Sequence, residues 1–278
     1  MLKKQDKFLV LANKQIKGPY YKITAVSNFI TQRVLPGQFV MVKINEGGDV
    51  FLRRPLSVHR VDGDKFELFY EVAGKGTGIL SRRKSGEHID VVGPLGNGFA
   101  LPRASGNLSP QILVAGGMGG APLVFLAQRL SAVSGISASG KLTVLIGARA
   151  KEQVLCEKEF QKIGCEVKIA TDDGSQGFHG RVTVLLENLL RTNNSEPLTL
   201  YACGPKPMLK EISRISCQNN ISAQVSLEAH MACGIGACLG CVVNTRNGYK
   251  RVCQDGPVFK SDEILWDNLG VSGKGYAA

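Results

Sequence analysis

Four of the eight cysteines fall in one stretch with the spacing Cys233-x4-Cys238-x2-Cys241-x11-Cys253. Thiolates bind soft metals, and this spacing is the plant-type arrangement for a [2Fe–2S] cluster, a one-electron carrier. In Cys233-Gly-Ile-Gly-Ala-Cys238-Leu-Gly-Cys241 the glycines permit the tight turn that aims backbone N–H groups at sulfur. A structural zinc site is the alternative reading. It would normally carry two Cys-x2-Cys pairs, and only one is present. Cys156, Cys165 and Cys217 lie in predicted regular elements and read as small buried apolar residues.

A second chemistry-bearing segment is Gly116-Gly-Met-Gly-Gly120, which follows the apolar run Gln111–Ala115 and precedes a helix expected to open at Pro122. Gly117 and Gly119 would let a pyrophosphate approach the helix N-terminus, although glycine loops also serve as plain turns. Three further strand ends open onto Gly147-Ala-Arg149, Thr171-Asp-Asp-Gly174 and Cys203-Gly-Pro205. Open α/β sheets bind ligands outside the carboxyl ends of their strands, so the four loops together favour a nicotinamide dinucleotide. Asp172 and Asp173 are candidates for ribose contacts and Arg149 for a 2′-phosphate, which leaves both NAD and NADP open. Nearer the N-terminus, Arg53-Arg-Pro-Leu-Ser57 and Gly74-Lys-Gly-Thr77 offer a guanidinium, hydroxyls and N–H donors suited to phosphate. A solvated edge and a hairpin turn account for them equally well.

The elements that must position these groups divide the chain in three. Residues 1–102 read as short strands (Phe8–Leu11, Tyr20–Val26, Gln38–Lys43, Ser57–Val61, Lys65–Glu71 and His88–Val92) broken by Pro36-Gly37, Gly47-Gly48, Asp62-Gly63 and Gly74. That pattern predicts an antiparallel β-barrel. Residues 103–227 open on a polar linker, 103–110, and then alternate strand and helix. Strands are expected at Gln111–Ala115, Leu142–Ile146, Val167–Ala170, Leu198–Ala202 and Ala223–Leu227. Helices are expected at Ala121–Val133, Cys156–Ile163, Arg181–Leu190 and Pro207–Gln218. This is the signature of a doubly wound parallel sheet. Residues 228–278 form a small cysteine-rich unit with a tail, loose from Ser261, carrying Gly270, Gly273 and Gly275.

The charge balance, 34 basic against 23 acidic residues, gives +11 and raises nucleic-acid binding first. Dispersion of the basic residues argues against it. The strongest cluster, Arg82-Arg83-Lys84, is short and has no interleaved aromatics, so a surface that attracts anionic cofactors or an acidic partner fits better. The apolar run Phe8–Ala12 is too short for a signal-peptide core, and no run reaches transmembrane length. A cytoplasmic protein with no membrane association is expected, its cysteines serving metal or redox chemistry. His59, His88, His179 and His230 are scattered singletons, and neither a Ser-His-Asp set nor a zincin helix is present.

These segments, in order from about Gln38 to Phe259, resemble the ferredoxin reductase-like family of flavoproteins, and within it the electron-transfer subunits of type B dihydroorotate dehydrogenases. Further landmarks are Pro36-Gly-Gln-Phe-Val40, Gly93-Pro-Leu-Gly96, Tyr201-Ala-Cys-Gly-Pro205, Ser226-Leu-Glu228 and Cys253-Gln-Asp-Gly-Pro-Val-Phe259. The resemblance implies FAD in the barrel, with Arg54, Pro55, Leu56 and Ser57 along the flavin, Phe69, Tyr70 and Glu71 on a neighbouring strand, and Gly76 and Thr77 at the pyrophosphate. The wider family often has an aromatic residue where Leu56 stands, so packing without π-stacking is expected there. It also implies Cys203 near the nicotinamide as a catalytic-site residue, although a buried strand-end thiol explains that cysteine equally well.

By the same resemblance the partner is an FMN-bearing dihydroorotate dehydrogenase catalytic subunit, in a heterotetramer of two copies of each. Electrons from dihydroorotate would pass through the cluster and FAD to NAD in pyrimidine biosynthesis. A related subunit of NADPH:ferredoxin-type oxidoreductases shares the architecture but typically replaces one cluster cysteine with aspartate. A free-standing flavin reductase and a non-enzymatic zinc-binding module remain as other classes.

Overall fold

A computed structural model describes residues 2–44, 50–102, 109–134, 142–192 and 198–268. The expected turn at Gly47-Gly48, residues 103–108 of the expected linker and the tail glycines lie outside them.

Six antiparallel strands close a barrel in the order β1-β2-β5-β4-β3-β6. They are β1 (Lys4–Lys17), β2 (Tyr20–Val26), β3 (Phe39–Val42), β4 (Arg54–Asp62), β5 (Lys65–Glu71) and β6 (His88–Leu95), with short helices α1 (Asn28–Thr31) and α2 (Lys75–Leu80) between them. The period of two sets which side chains fill the interior. Phe66, Leu68 and Tyr70 of β5 point inward with Leu56 and Val58 of β4 and Ile23 and Ala25 of β2. Their alternates, Glu67, Phe69 and Glu71 among them, face out. β1 runs well past the expected Phe8–Leu11, because register shifts after Val10 and after Gln15 let its polar half keep pairing with β2. Gly74-Lys-Gly-Thr77 forms the cap and first turn of α2 in place of a hairpin turn.

Arg53, just before β4, is a structural pin. Its Nη1 lies 2.8 Å from Asp90 Oδ1 and donates to the Asp90 carbonyl at 3.1 Å. Burial alone would raise the Asp90 carboxyl, but the hydrogen bond and charge of Arg53, helped by Gln5 and Lys43, hold it below the ordinary carboxylate value. A depressed acid stabilises the fold above its unfolded pKa and loses that contribution as pH falls. Arg53→Ala is therefore expected to cost about 1–3 kcal/mol near pH 7. Urea melts should show the deficit shrinking below about pH 4, the unfolded Asp range.

The remainder is a seven-stranded sheet in the order β10-β9-β8-β7-β11-β12-β15. Its first parts are β7 (Gln111–Gly116), α3 (Gly120–Ser134), β8 (Leu142–Ala148), α4 (Glu157–Ile163) and β9 (Glu166–Thr171). The two-residue β10 (Phe178–His179), α5 (Val182–Thr192), β11 (Thr199–Cys203), α6 (Lys206–Gln218) and β12 (Ser222–Ser226) follow. The cysteine segment contributes a small hairpin, β13 (Val242–Thr245) and β14 (Gly248–Arg251). It returns as β15 (Val258–Lys260), antiparallel to β12. All other pairings in this sheet are parallel, and the chain reverses direction across it between β7 and β11.

α3 is buried along nearly its whole length because it is covered on two sides. Leu123, Val124, Leu126 and Ala127 pack on the sheet, while Phe125 enters the barrel core. Two expectations are corrected. Cys217 is exposed, because α6 turns that position to solvent. The tail is not loose from Ser261: Ile264 is buried, and Trp266 donates its indole N–H to the Ser261 carbonyl. Among the described residues no helix is long and apolar enough to cross a membrane.

Candidate functional site

The four cysteines lie between β12 and β15, three of them on an irregular coil and Cys253 just after the β13–β14 hairpin. Gly234 (φ +70°), Gly236 (φ +91°) and Leu239 (φ +56°) take the left-handed conformations that coil it. The coil turns N–H groups inward: Cys238 N–H donates to Cys233 Sγ at 3.4 Å, and Cys253 N–H to Cys241 Sγ at 3.3 Å. Burial works against ionising Cys233, but the N–H groups of Ile235, Cys238 and Ala237 outweigh it and bring the thiol down to about 6. Cys253 is pushed up to about 12 by burial and by the nearby Cys241 and Cys233 sulfurs. Closely set thiols, one already favouring thiolate, fit a bound metal cluster, since a metal replaces mutual repulsion with shared positive charge.

The loop is seated on the barrel. A Cβ added to Gly234 would fall 2.4 Å from Met41 Cγ, and Met41 pairs across the sheet with Pro55. Asn97, just beyond β6, donates its side-chain amide to the Asp255 carbonyl at 3.0 Å. The cysteine segment thus abuts β3, the hydrogen-bonded neighbour of the strand that carries Arg54–Ser57.

On that strand Pro55 and Ser57 face outward, while Leu56 is packed in the barrel core. Tyr70 is packed there too, donating its hydroxyl to Asn13 Oδ1 at 2.9 Å. Phe69 turns out and stacks on Tyr20, with centroids 6.2 Å apart. Glu71 pairs with Tyr20 at the end of β5. Gly76, in the first turn of α2, lies against Arg54: a Cβ there would fall 2.9 Å from Arg54 Nε. A guanidinium over a glycine in the first turn of a helix offers the charge and N–H donors a pyrophosphate needs, so these residues fit FAD. The Thr77 hydroxyl is engaged in capping, accepting from Ala73 N–H at 3.0 Å.

The nucleotide loop leaves β7 at the switch point. Gly117–Gly119 forms a single 3-10 turn, and α3 begins at Gly120, two residues before the expected Pro122. Gly117 takes φ +51° with open space on its Cβ side. Gly119 is different: a Cβ there would fall 1.9 Å from the Cys203 carbonyl oxygen. The loop is thereby pressed onto the end of β11. Cys203 is buried between Ala115 and Ser226 of the flanking strands. Burial and the Glu228 charge raise its thiol far above the ordinary value, so it is a neutral thiol. Glu228 sits in a recess, packed round by protein yet open to solvent. Loss of surrounding water and the Glu71 charge raise its carboxyl. Glu228 therefore lies within electrostatic reach of both the end of β11 and the end of β5, where the crevice expected at the switch point opens toward the barrel.

At the outer end of the same edge, Asp172 N–H donates to the Ala148 carbonyl and Asp173 N–H to the Arg149 carbonyl. Asp173 is committed to Ser175, which donates its N–H at 2.9 Å and its hydroxyl at 2.6 Å. Asp172 stays exposed beside Arg149. Sequence reading passed over His59, which is fully buried at the junction of barrel and sheet. Its one sequence signal was a titratable residue at an apolar strand's outward position.

A six-stranded barrel joined to a doubly wound sheet, with a cysteine loop at their junction, defines a ferredoxin reductase-type oxidoreductase. Residues 113–214 match the oxidoreductase NAD-binding domain family, and residues 228–265, which hold all four cysteines, match the iron–sulfur cluster binding domain of dihydroorotate dehydrogenase B. The chain is 42% identical over 244 residues to the dihydroorotate dehydrogenase B (NAD(+)) electron transfer subunit of Desulforamulus reducens, covering 86% of this chain and 89% of that one. It is 42% identical over 268 residues to that of Geobacillus sp. (strain WCH70), covering 94% and 99%. It belongs to the family of dihydroorotate dehydrogenase B electron transfer subunits. Among solved structures, a chain of NADH-dependent reduced ferredoxin-NADP oxidoreductase superposes with a TM-score of 0.80 at 32% identity, covering 94% of this chain and 91% of that one. The ferredoxin NADP+ reductase of Neisseria gonorrhoeae shares the fold, with a TM-score of 0.61 at 18% identity over 77% and 91%.

Proposed function

We propose that the chain passes electrons between NAD(H) and an FMN-bearing dihydroorotate dehydrogenase catalytic subunit in the cytoplasm, using FAD and a [2Fe–2S] cluster, in a complex of two copies of each subunit. The observation that carries this reading is the seating of the cysteine loop on Met41, beside the Arg54–Ser57 strand. One-electron and two-electron carriers held side by side convert hydride transfer into single-electron delivery. The residues bind and orient; none is required as a general acid or base.

Cys233, Cys238, Cys241 and Cys253 hold the cluster. Arg54, Gly76 and the backbone of Thr77 hold the FAD pyrophosphate, with Pro55, Ser57, Phe69 and Glu71 along the ring and the buried Leu56 and Tyr70 acting through their backbone. Gly117 and Gly119 admit the nicotinamide dinucleotide, and Asp172 meets its ribose. Cys203, as a neutral thiol, closes the crevice without adding charge against the nicotinamide. Ile235, Leu239 and Tyr249 stand exposed around the cysteine loop, an apolar fringe suited to the partner subunit.

The test is a division of labour. The purified chain, loaded with flavin and cluster, should reduce an artificial acceptor with NADH and show no oxidation of dihydroorotate until the catalytic subunit is added. Dihydroorotate turnover by the single chain would refute the reading.

A further inference from the structure

One half-buried charged cluster, centred on the fully buried His59, lies away from the crevice and has no part in the roles above. Lys22 of β2, His59 of β4 and Glu67 of β5 project from the outward face of the barrel and meet Glu159 of α4. Lys22 Nζ lies 3.0 Å from Glu159 Oε1 and 3.4 Å from Glu67 Oε2. His59 Nε2 lies 3.1 Å from the same Glu159 oxygen, and His59 Nδ1 lies 2.8 Å from the carbonyl oxygen of Ala121 in the first turn of α3. A histidine and two carboxylates so close together have the composition of a metal site. Here the Lys22 ammonium reaches both carboxylates and supplies the positive charge itself.

The partners decide which atoms of His59 carry protons. A peptide carbonyl only accepts, and so does an ionised carboxylate. A neutral imidazole has one donor and one acceptor, so either tautomer would set two acceptors against each other in a buried place. Only the imidazolium satisfies both contacts. Moving the proton to Glu159 instead is opposed by Lys22 on the same oxygen. Two cations then face two anions. The Cys156 thiol, at the N-cap of α4, also faces Glu159, and burial together with that carboxylate keeps it neutral. α3 presents only its carbonyl.

We propose that His59 is a doubly protonated positioning residue on the barrel wall, whose Nδ1–H holds the first turn of the nucleotide helix α3 and whose Nε2–H holds Glu159 of α4. The same ring lies against Phe69, with centroids 5.4 Å apart and planes tilted by 31°. It therefore sets the spacing between the Gly117–Gly119 loop and the wall that holds Phe69 and Glu71. Gln128 reinforces the join by donating to the Val61 carbonyl at 3.0 Å.

The protonation claim stands independently of function; the positioning claim rests on the nucleotide reading of the loop. Ring-nitrogen NMR of the ¹⁵N-histidine-labelled wild-type holoprotein should show an N–H on both nitrogens of His59 at pH 7, and a single N–H would overturn the proposal. His59→Asn keeps a donor near the Nδ1 position and His59→Gln one near Nε2. Each is expected to raise the KM for NADH by about 10-fold, with kcat for an artificial acceptor changed less than about threefold and flavin and iron contents unchanged. An unaltered KM in both variants, or a fall in kcat alone, would overturn the positioning role. Absence of NADH turnover in the wild type would instead condemn the nucleotide reading, with the NMR result still deciding the protonation.

Discussion

Cys233→Ser is expected to strip the protein of iron and acid-labile sulfide and to slow NADH-linked electron exchange with the catalytic subunit by at least ~100-fold. Cys233 is an informative position because it is less entangled with folding than Cys241 or Cys253. Cys241 and Cys253 are buried in the core beneath the sheet, where a serine would also leave a polar group to satisfy. Cys233 lies near the surface, and its sulfur is held by backbone N–H groups rather than by packing. Its replacement should leave NADH-driven reduction of an artificial acceptor within about threefold of wild type, since the barrel and sheet are untouched. Iron analysis and the visible spectrum of anaerobically prepared protein provide the check. Full iron and sulfide in the serine protein would remove Cys233 from the ligand set.

The second large effect is expected at Gly119. A methyl group there would lie 1.9 Å from a backbone oxygen of Cys203, and neither the loop nor the end of β11 can yield without the other moving. Gly119→Ala should raise the KM for NADH about 100-fold, because a displacement of about 1 Å in a positioning loop costs that much. Gly117→Ala is the control. Its Cβ would enter open space, so within the protein its penalty is only the left-handed backbone, about 1 kcal/mol of stability, and any rise in KM would come from contact with the dinucleotide itself. Paired NADH titrations and thermal melts of the two variants separate steric closure from backbone strain. KM values unchanged from wild type in both proteins would mean that the nucleotide does not use this loop.

Much of this site was legible in the sequence because its determinants are local. Cysteine spacing, glycines at strand ends and an Arg next to a Pro are short-range signals, and the strand–helix alternation told where the ends of strands would meet. Side-chain direction was harder. Leu56 and Tyr70 sit in motif positions, yet strand pleating turns both into the barrel core. Which residue of a motif faces a ligand depends on a register that only the closed barrel fixes. Cys217 was misread for a similar reason: its place in a predicted helix suggested burial, but α6 turns it outward. His59 was read only as one of four scattered histidines. Its partners, Ala121 and Glu159, lie 62 and 100 residues away in the chain, and no local pattern announces such a meeting.

The excursion that carries the cysteines leaves from β12 and comes back as its hydrogen-bonded neighbour β15, with Leu227 N–H donating to the Pro257 carbonyl at the base. Both ends of the electron-carrying segment are thus clamped to one rigid edge. It cannot behave as a bead on a tether that swings between donor and acceptor. Transfer to and from this protein must then be governed by a fixed tunnelling gap, and an added linker at either end of the excursion would slow exchange where a swinging carrier would tolerate it.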